Sequence, residues 1–91
     1  MTKSILQTEK VCWVCHARYP LHKHHIYGGR NRQVSDEQGF YVYLCFEHHT
    51  GQKGVHNHPH ADLMLKQDCQ TVFEKGHTRD EFIKLIGKSY L

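Results

Sequence analysis

The chain has 91 residues, a mass of 10.8 kDa, a formal charge of +3, 38% hydrophobic residues and a mean hydropathy of −0.68. A chain of this length forms one small domain and buries only about 60–65% of its unfolded surface, so its lean core calls for a further staple. No apolar run approaches the ~20 residues of a membrane span and residues 1–10 lack the apolar stretch of a secretory leader, which argues against membrane proteins, disulfide-dense secreted scaffolds and large multidomain enzymes and suggests a cytoplasmic location.

Taken in chain order, residues 2–10 read as a frayed lead-in and residues 11–18 as a knuckle around Cys12-Trp-Val-Cys15. Residues 21–27 read as a strand, although polar side chains crowd it. Gly28-Gly29 opens a loop that is expected to continue to Gly39, because paired glycines and the Ser35-Asp36-Glu37-Gln38-Gly39 run punctuate structure. Residues 40–44, rich in aromatic and β-branched side chains, predict a second strand antiparallel to the first. Residues 45–53 predict a short helix stopped by Gly51 and Gly54. Pro59 opens another helix, and Leu65, Cys69, Val72 and Phe73 fall on one apolar face of it. Gly76 ends that helix. Thr78-Arg-Asp-Glu81 has the spacing of a capping box for a last helix that buries Phe82, Leu85, Ile86 and Tyr90. The expected fold class is α+β: a zinc-pinned ββα core over residues 11–56 with C-terminal helices over 59–91, in one domain.

The staple is visible in the cysteines and histidines. Cys12 and Cys15 can turn two sulfurs to one point, and Leu44-Cys45-Phe46-Glu47-His48-His49 supplies a third sulfur with an imidazole three or four places on. Cys12, Cys15, Cys45 and His48 make a closed Cys₃His site for structural Zn²⁺. A thioredoxin-like use of the CxxC would need a βαβ pattern, which is absent. Cys69, on the apolar helix face, reads as a core residue. There are 10 histidines, and His22, His24, His25, His48, His49, His56, His58 and His60 lie in two short windows. One zinc cannot use them all, so a second ion site is implied. Alternation along a strand puts His22 and His24 on one face and His25 on the other. Adjacent helical positions diverge by about 100°, so one of His48 and His49 serves the zinc and the other the second site. His48 on zinc is the favoured assignment, and the swap stays open. His16, His60 and His77 read as solvent-exposed.

Charge is uneven. Residues 10–32 hold Lys10, Arg18, Lys23, Arg30 and Arg32 and no acid, whereas the rest of the chain is near neutral or acidic. A basic patch around a histidine cluster suits a phosphate backbone.

Together, Cys12-x-x-Cys15, His24-His25-Ile26, Gly28-Gly29 and Leu44-Cys45-x-x-His48-His49 resemble the zinc-knuckle HNH endonucleases, whose fold is the ββα-metal (His-Me) finger. The resemblance spans roughly residues 11–56, and the remainder is similar to small phage-encoded proteins of that type. It implies His25 as general base, and His24 and His49 as ligands of one catalytic divalent metal. His56, or else His58, would be the third ligand. Lys23, Arg30 and Arg32 would position the DNA backbone. The implied function is a metal-dependent DNA endonuclease or nickase acting in phage DNA processing or recombination in a bacterial host cell. A homodimer or a recombination or packaging partner would extend so small a footprint. RNA or branched DNA is a further candidate substrate. Two positions depart from the pattern. The central Asn is replaced by the Phe40-Tyr41-Val42-Tyr43 stretch, leaving Asn31 as a substitute, and His24 stands where Asp is commoner. An all-imidazole set favours Zn²⁺, Mn²⁺, Co²⁺ or Ni²⁺ over Mg²⁺. The missing Asn motivates the alternative, a catalytically silent zinc module that binds DNA or a partner.

Overall fold

Val42 and Leu44 alternate with Tyr41 and Tyr43, and this period-two pattern pairs them with a strand of opposite direction. In the computed structural model, which describes residues 2–91, strand β1 (His22–His25) and strand β2 (Tyr41–Leu44) form a two-stranded antiparallel sheet, His22 opposite Leu44 and His24 opposite Val42. His22 and His24 therefore share the face of Val42 and Leu44, and Lys23 and His25 share the other with Tyr41 and Tyr43. Helix α1 (Arg32–Gln38) lies between the strands, α2 (Phe46–His49) follows β2, and α3 (Pro59–Phe73) and α4 (Arg79–Ile86) complete a small α+β fold with four helices. Two 3₁₀ turns, Gly29–Asn31 and Val55–Asn57, precede α1 and α3.

Several expectations need correction. The segment after Gly28-Gly29 is not a continuous loop: residues 32–38 are helical. Gly39 takes the left-handed conformation at its end (φ 78°) and its N–H donates to the Ser35 carbonyl. The Ser-Asp-Glu-Gln run reads as loop by composition, but a left-handed glycine is what a helix terminus uses. Ser35 is buried and clamps α1 to the chain leaving β1, donating to the Tyr27 carbonyl (2.7 Å) and accepting from the Tyr27 N–H (3.2 Å). Sheet pairing covers only four of the residues 21–27 expected to be strand, and Ile26 and Tyr27 continue into the core. The helix expected over 45–53 is a single turn. Helix α4 stops at Ile86 because Gly87 is left-handed (φ 108°), so Tyr90 lies beyond it. Tyr90 packs back on Tyr27, ring centroids 5.5 Å apart, while its N–H donates to buried Gln70.

The C-terminal helices behave as their patterning dictates. Pro59 occupies the start of α3, Leu65, Cys69 and Phe73 are buried along it, and Val72 is half-buried. Thr78 and Glu81 form the reciprocal capping box at α4, which buries Phe82 and Ile86 and half-buries Leu85. Tyr27, Phe40, Phe73 and Phe82 meet edge to face or tilted, with centroids 5.4–6.1 Å apart, and join both helices to the end of the hairpin. Such aromatic pairs add about 0.5–1.5 kcal/mol each beyond their burial. This aromatic cluster anchors the C-terminal end of α3, and the first turn of that helix borders a cavity shared with His24 of β1.

Candidate metal centre

Two groups of side chains converge. The first is Cys12, Cys15, Cys45 and His48. The knuckle closes on itself, with the Cys12 N–H donating to Ala17 and the His16 N–H to the Cys12 carbonyl. It is pinned to β2 where the Trp13 N–H donates to Tyr43. Cys45 sits at the junction of β2 and α2, and one helical turn brings His48 back over it. The Cys15 and Cys45 sulfurs are 3.7 Å apart, and Nδ1 of His48 lies 3.8 Å from Cys12 Sγ and 3.2 Å from Cys45 Sγ. Tetrahedral Zn²⁺, with bonds of ~2.3 Å to sulfur and ~2.0–2.1 Å to nitrogen, sets such edges at about 3.8 and 3.6 Å. None of the cysteines is in a disulfide. Burial alone would raise the Cys12 thiol, but the N–H groups of Cys15, Cys45 and Val14 bring it down to about 6, so the thiolate a metal needs forms readily. The group could hold a metal such as zinc.

The second group is His24, His49 and His56. His24 comes from β1, His49 from the last position of α2, and His56 from the 3₁₀ turn before α3. Gly54 allows that turn to lie against α2, since a Cβ there would collide with the His49 carbonyl. Nε2 of His49 is 3.0 Å from Nε2 of His56, and Nδ1 of His49 is 3.1 Å from Nδ1 of His22. The His24 ring packs edge-on against both His49 and His56, centroids 5.3 Å apart. His24 is buried at 5% exposure, and its Nε2 is the one buried side-chain polar atom without a hydrogen-bond partner among the described residues. An orphaned buried nitrogen is costly, and an ion is one group that satisfies it. The donor set also fits: burial and then the neighbouring His49 and His56 push His24 down to about 4, and burial with His56 and His22 lowers His49. Both stay neutral and ligand-competent at neutral pH.

That shift sets a pH dependence. His24 takes its proton near 4 when folded, against about 6.5 in the unfolded chain, so the unfolded chain protonates first as pH falls. The part of the stability linked to His24 is present above pH ~6.5 and drains by about 3 kcal/mol on the way to pH ~4. With zinc in the cysteine group and no ion on the histidines, thermal melts should lose about 2 kcal/mol between pH 7 and 5. His24→Gln should flatten that slope; equal slopes would show that His24 titrates normally.

The remaining candidate residues are distributed as follows. His25 points to the opposite side of the sheet from His24, its Nε2 3.4 Å from Oδ1 of Asp36 on α1. Asp36 also pairs with Lys23, and that ammonium, then His25, holds its carboxyl below the usual range. Lys23 lies over the Tyr41 ring. A cleft of about 250 Å³ beside the sheet is lined by His24, His25, His49, His56, Lys23 and Arg32. Arg30 reaches instead toward Gly87. His58 is turned away from the group, its Nε2 2.7 Å from the Gln52 carbonyl. Asn31 donates its amide to the Ile86 carbonyl. His16, His60 and His77 are exposed, and Cys69 is buried in the core.

Sequence reasoning misses Asp36, because the composition of residues 32–38 reads as loop, and Asp62, because a first-turn acid on a helix is ordinary. The strand alternation that paired His22 with His24 was the available signal for His22 beside His49. No helix among the described residues is long and apolar enough to cross a membrane. Comparison with protein-family models, curated proteins and solved structures found no match.

Proposed function

We propose that the protein is a metal-dependent phosphodiesterase of the HNH kind, an endonuclease or nickase acting on DNA, with the β1–β2–α2 unit serving as a ββα-metal finger. The observation that carries this reading is the convergence of His24, His49 and His56 on the buried unpaired Nε2 of His24, with His25 on the next residue and in the same cleft. A divalent ion held by those three imidazoles would stabilise the charge that develops on the phosphate and the leaving oxygen.

The chain's own residues supply the rest. His25 takes the proton of the attacking water. Asp36 favours the proton on Nε2 of that ring, which leaves Nδ1 as the acceptor, and so provides the orientation that the central Asn of the family would give. Arg32 borders the cleft as a phosphate contact. Zinc on Cys12, Cys15, Cys45 and His48 holds the start of α2, and with it His49, against β1. The knuckle is therefore structural and the histidine group catalytic.

The test is nicking of supercoiled plasmid by the zinc-loaded protein in Mg²⁺, Mn²⁺, Co²⁺ and Ni²⁺. Imidazole ligands predict activity in Mn²⁺, Co²⁺ or Ni²⁺ well above that in Mg²⁺. Highest activity in Mg²⁺ would contradict the assignment of the three histidines, and no cleavage in any ion would contradict the nuclease.

A further inference from the structure

We propose that Asp62 is a fourth, anionic ligand of the ion held by His24, His49 and His56, an inference that rests on the metal reading of that group. Asp62 lies in the first turn of α3, and its Oδ1 faces the buried Nε2 of His24 at 4.0 Å. That separation is too long for a hydrogen bond. A four-coordinate ion with bonds of ~2.0–2.2 Å sets the edge between neighbouring ligands at about 3.4 Å, so Oδ1 stands about half an ångström outside the ligand shell, a gap that a small rotation of the Asp62 side chain closes.

Three further features agree. Asp62 and His24 border one cavity of about 340 Å³ together with His56 and Lys66, so the carboxylate reaches the same space as two of the imidazoles. Its other oxygen, Oδ2, lies 2.9 Å from Lys66 Nζ one turn along α3, so Oδ1 is the oxygen left facing His24. Charge gives the reason. Three neutral imidazoles leave a divalent ion with its full +2 in a half-buried site, whereas a carboxylate halves it. The site then offers three nitrogens and one oxygen, a set that suits Mn²⁺ and Co²⁺ better than imidazoles alone suit them. Lys66 opposes this by competing for Asp62 and repelling the cation.

The experiment is a Co²⁺ titration of protein already carrying zinc on its cysteines, followed by visible absorption and calorimetry. Cobalt on the histidine site shows d–d bands without thiolate charge-transfer absorption, so the two sites are read separately. Asp62→Asn should weaken Co²⁺ binding at least about tenfold and change the d–d spectrum. Lys66→Met should tighten it. These shifts have opposite signs, which a general loss of folding cannot produce. Unchanged affinity and a superimposable spectrum for Asp62→Asn, with two ions still bound, would overturn the Asp62 ligand alone. A wild-type chain that takes no Co²⁺ beyond its zinc would overturn both this proposal and the catalytic metal site.

Discussion

Replacing Cys45 with serine should unfold the half of the chain that carries the histidines. Cys45 ends β2 and starts α2, and its sulfur lies within 3.7 Å of Cys15 Sγ and 3.2 Å of His48 Nδ1. A hydroxyl is a poor zinc ligand, and a three-ligand remnant would not hold the ion as a closed site does. Structural zinc supplies an apparent ~10–16 kcal/mol in small metal-pinned domains, comparable to the whole ~5–15 kcal/mol stability of an ordinary one. The core depends on the same staple: Cys12 and Leu44 are fully buried members of it and Cys45 packs against it, while its aromatic side chains gather around Tyr27, Phe40, Phe73 and Phe82. Elemental analysis should find the variant without stoichiometric zinc. Its melt should fall by tens of degrees or lose cooperativity, since each kcal/mol moves a domain of this size by roughly 4–8 °C. Chelation of the wild-type protein should reproduce the loss. Cys69→Ala, a core truncation distant from the metal, should keep the zinc. A Cys45→Ser protein with full zinc and an unaltered melt would show that the four side chains are not a ligand set.

The two side-chain groups that could hold a metal were legible from the sequence to different depths. Cys12, Cys15, Cys45 and His48 are linked by short local spacings and one hairpin, so chemistry and periodicity were enough to place them together. His24 and His49 needed only the antiparallel register and one helical turn. His56 needed more: it reaches the group through a glycine-permitted turn, and no local rule separates it from His58. The helical ends were marked by their chemistry, Thr78 with Glu81 and Pro59, whereas α1 was hidden. Its Gly39 terminus and its Ser35 clamp onto Tyr27 are tertiary facts, and its composition mimics a loop. Losing α1 also hid Asp36, which is invisible as a partner of His25 until residues 32–38 are helical. Asp62 was hidden for another reason: its significance comes from an unpaired nitrogen 38 residues earlier, and burial of one atom has no sequence signature.

His25→Ala should separate a nuclease from a silent zinc module. The ring borders the cleft that the three ligand histidines also line, and Asp36 is its one carboxylate contact among the described residues. Its side chain is 15% exposed and borders the cleft, so truncation opens space toward the cleft and should lower the melting temperature modestly, with both ions still bound. Affinity for DNA should persist, because Arg32 and Lys23 are untouched. The cleavage rate should nevertheless fall by about 10²–10⁴-fold, the usual worth of a positioned general base. His24→Ala should lose cleavage by a different route, with the second ion gone, so metal analysis distinguishes base from ligand. Retained cleavage in His25→Ala would move the base elsewhere in the cleft. A wild-type protein that binds DNA and both ions, yet matches His25→Ala in cutting nothing, would make the histidine cleft a binding element. Asp36 would then serve only to neutralise Lys23.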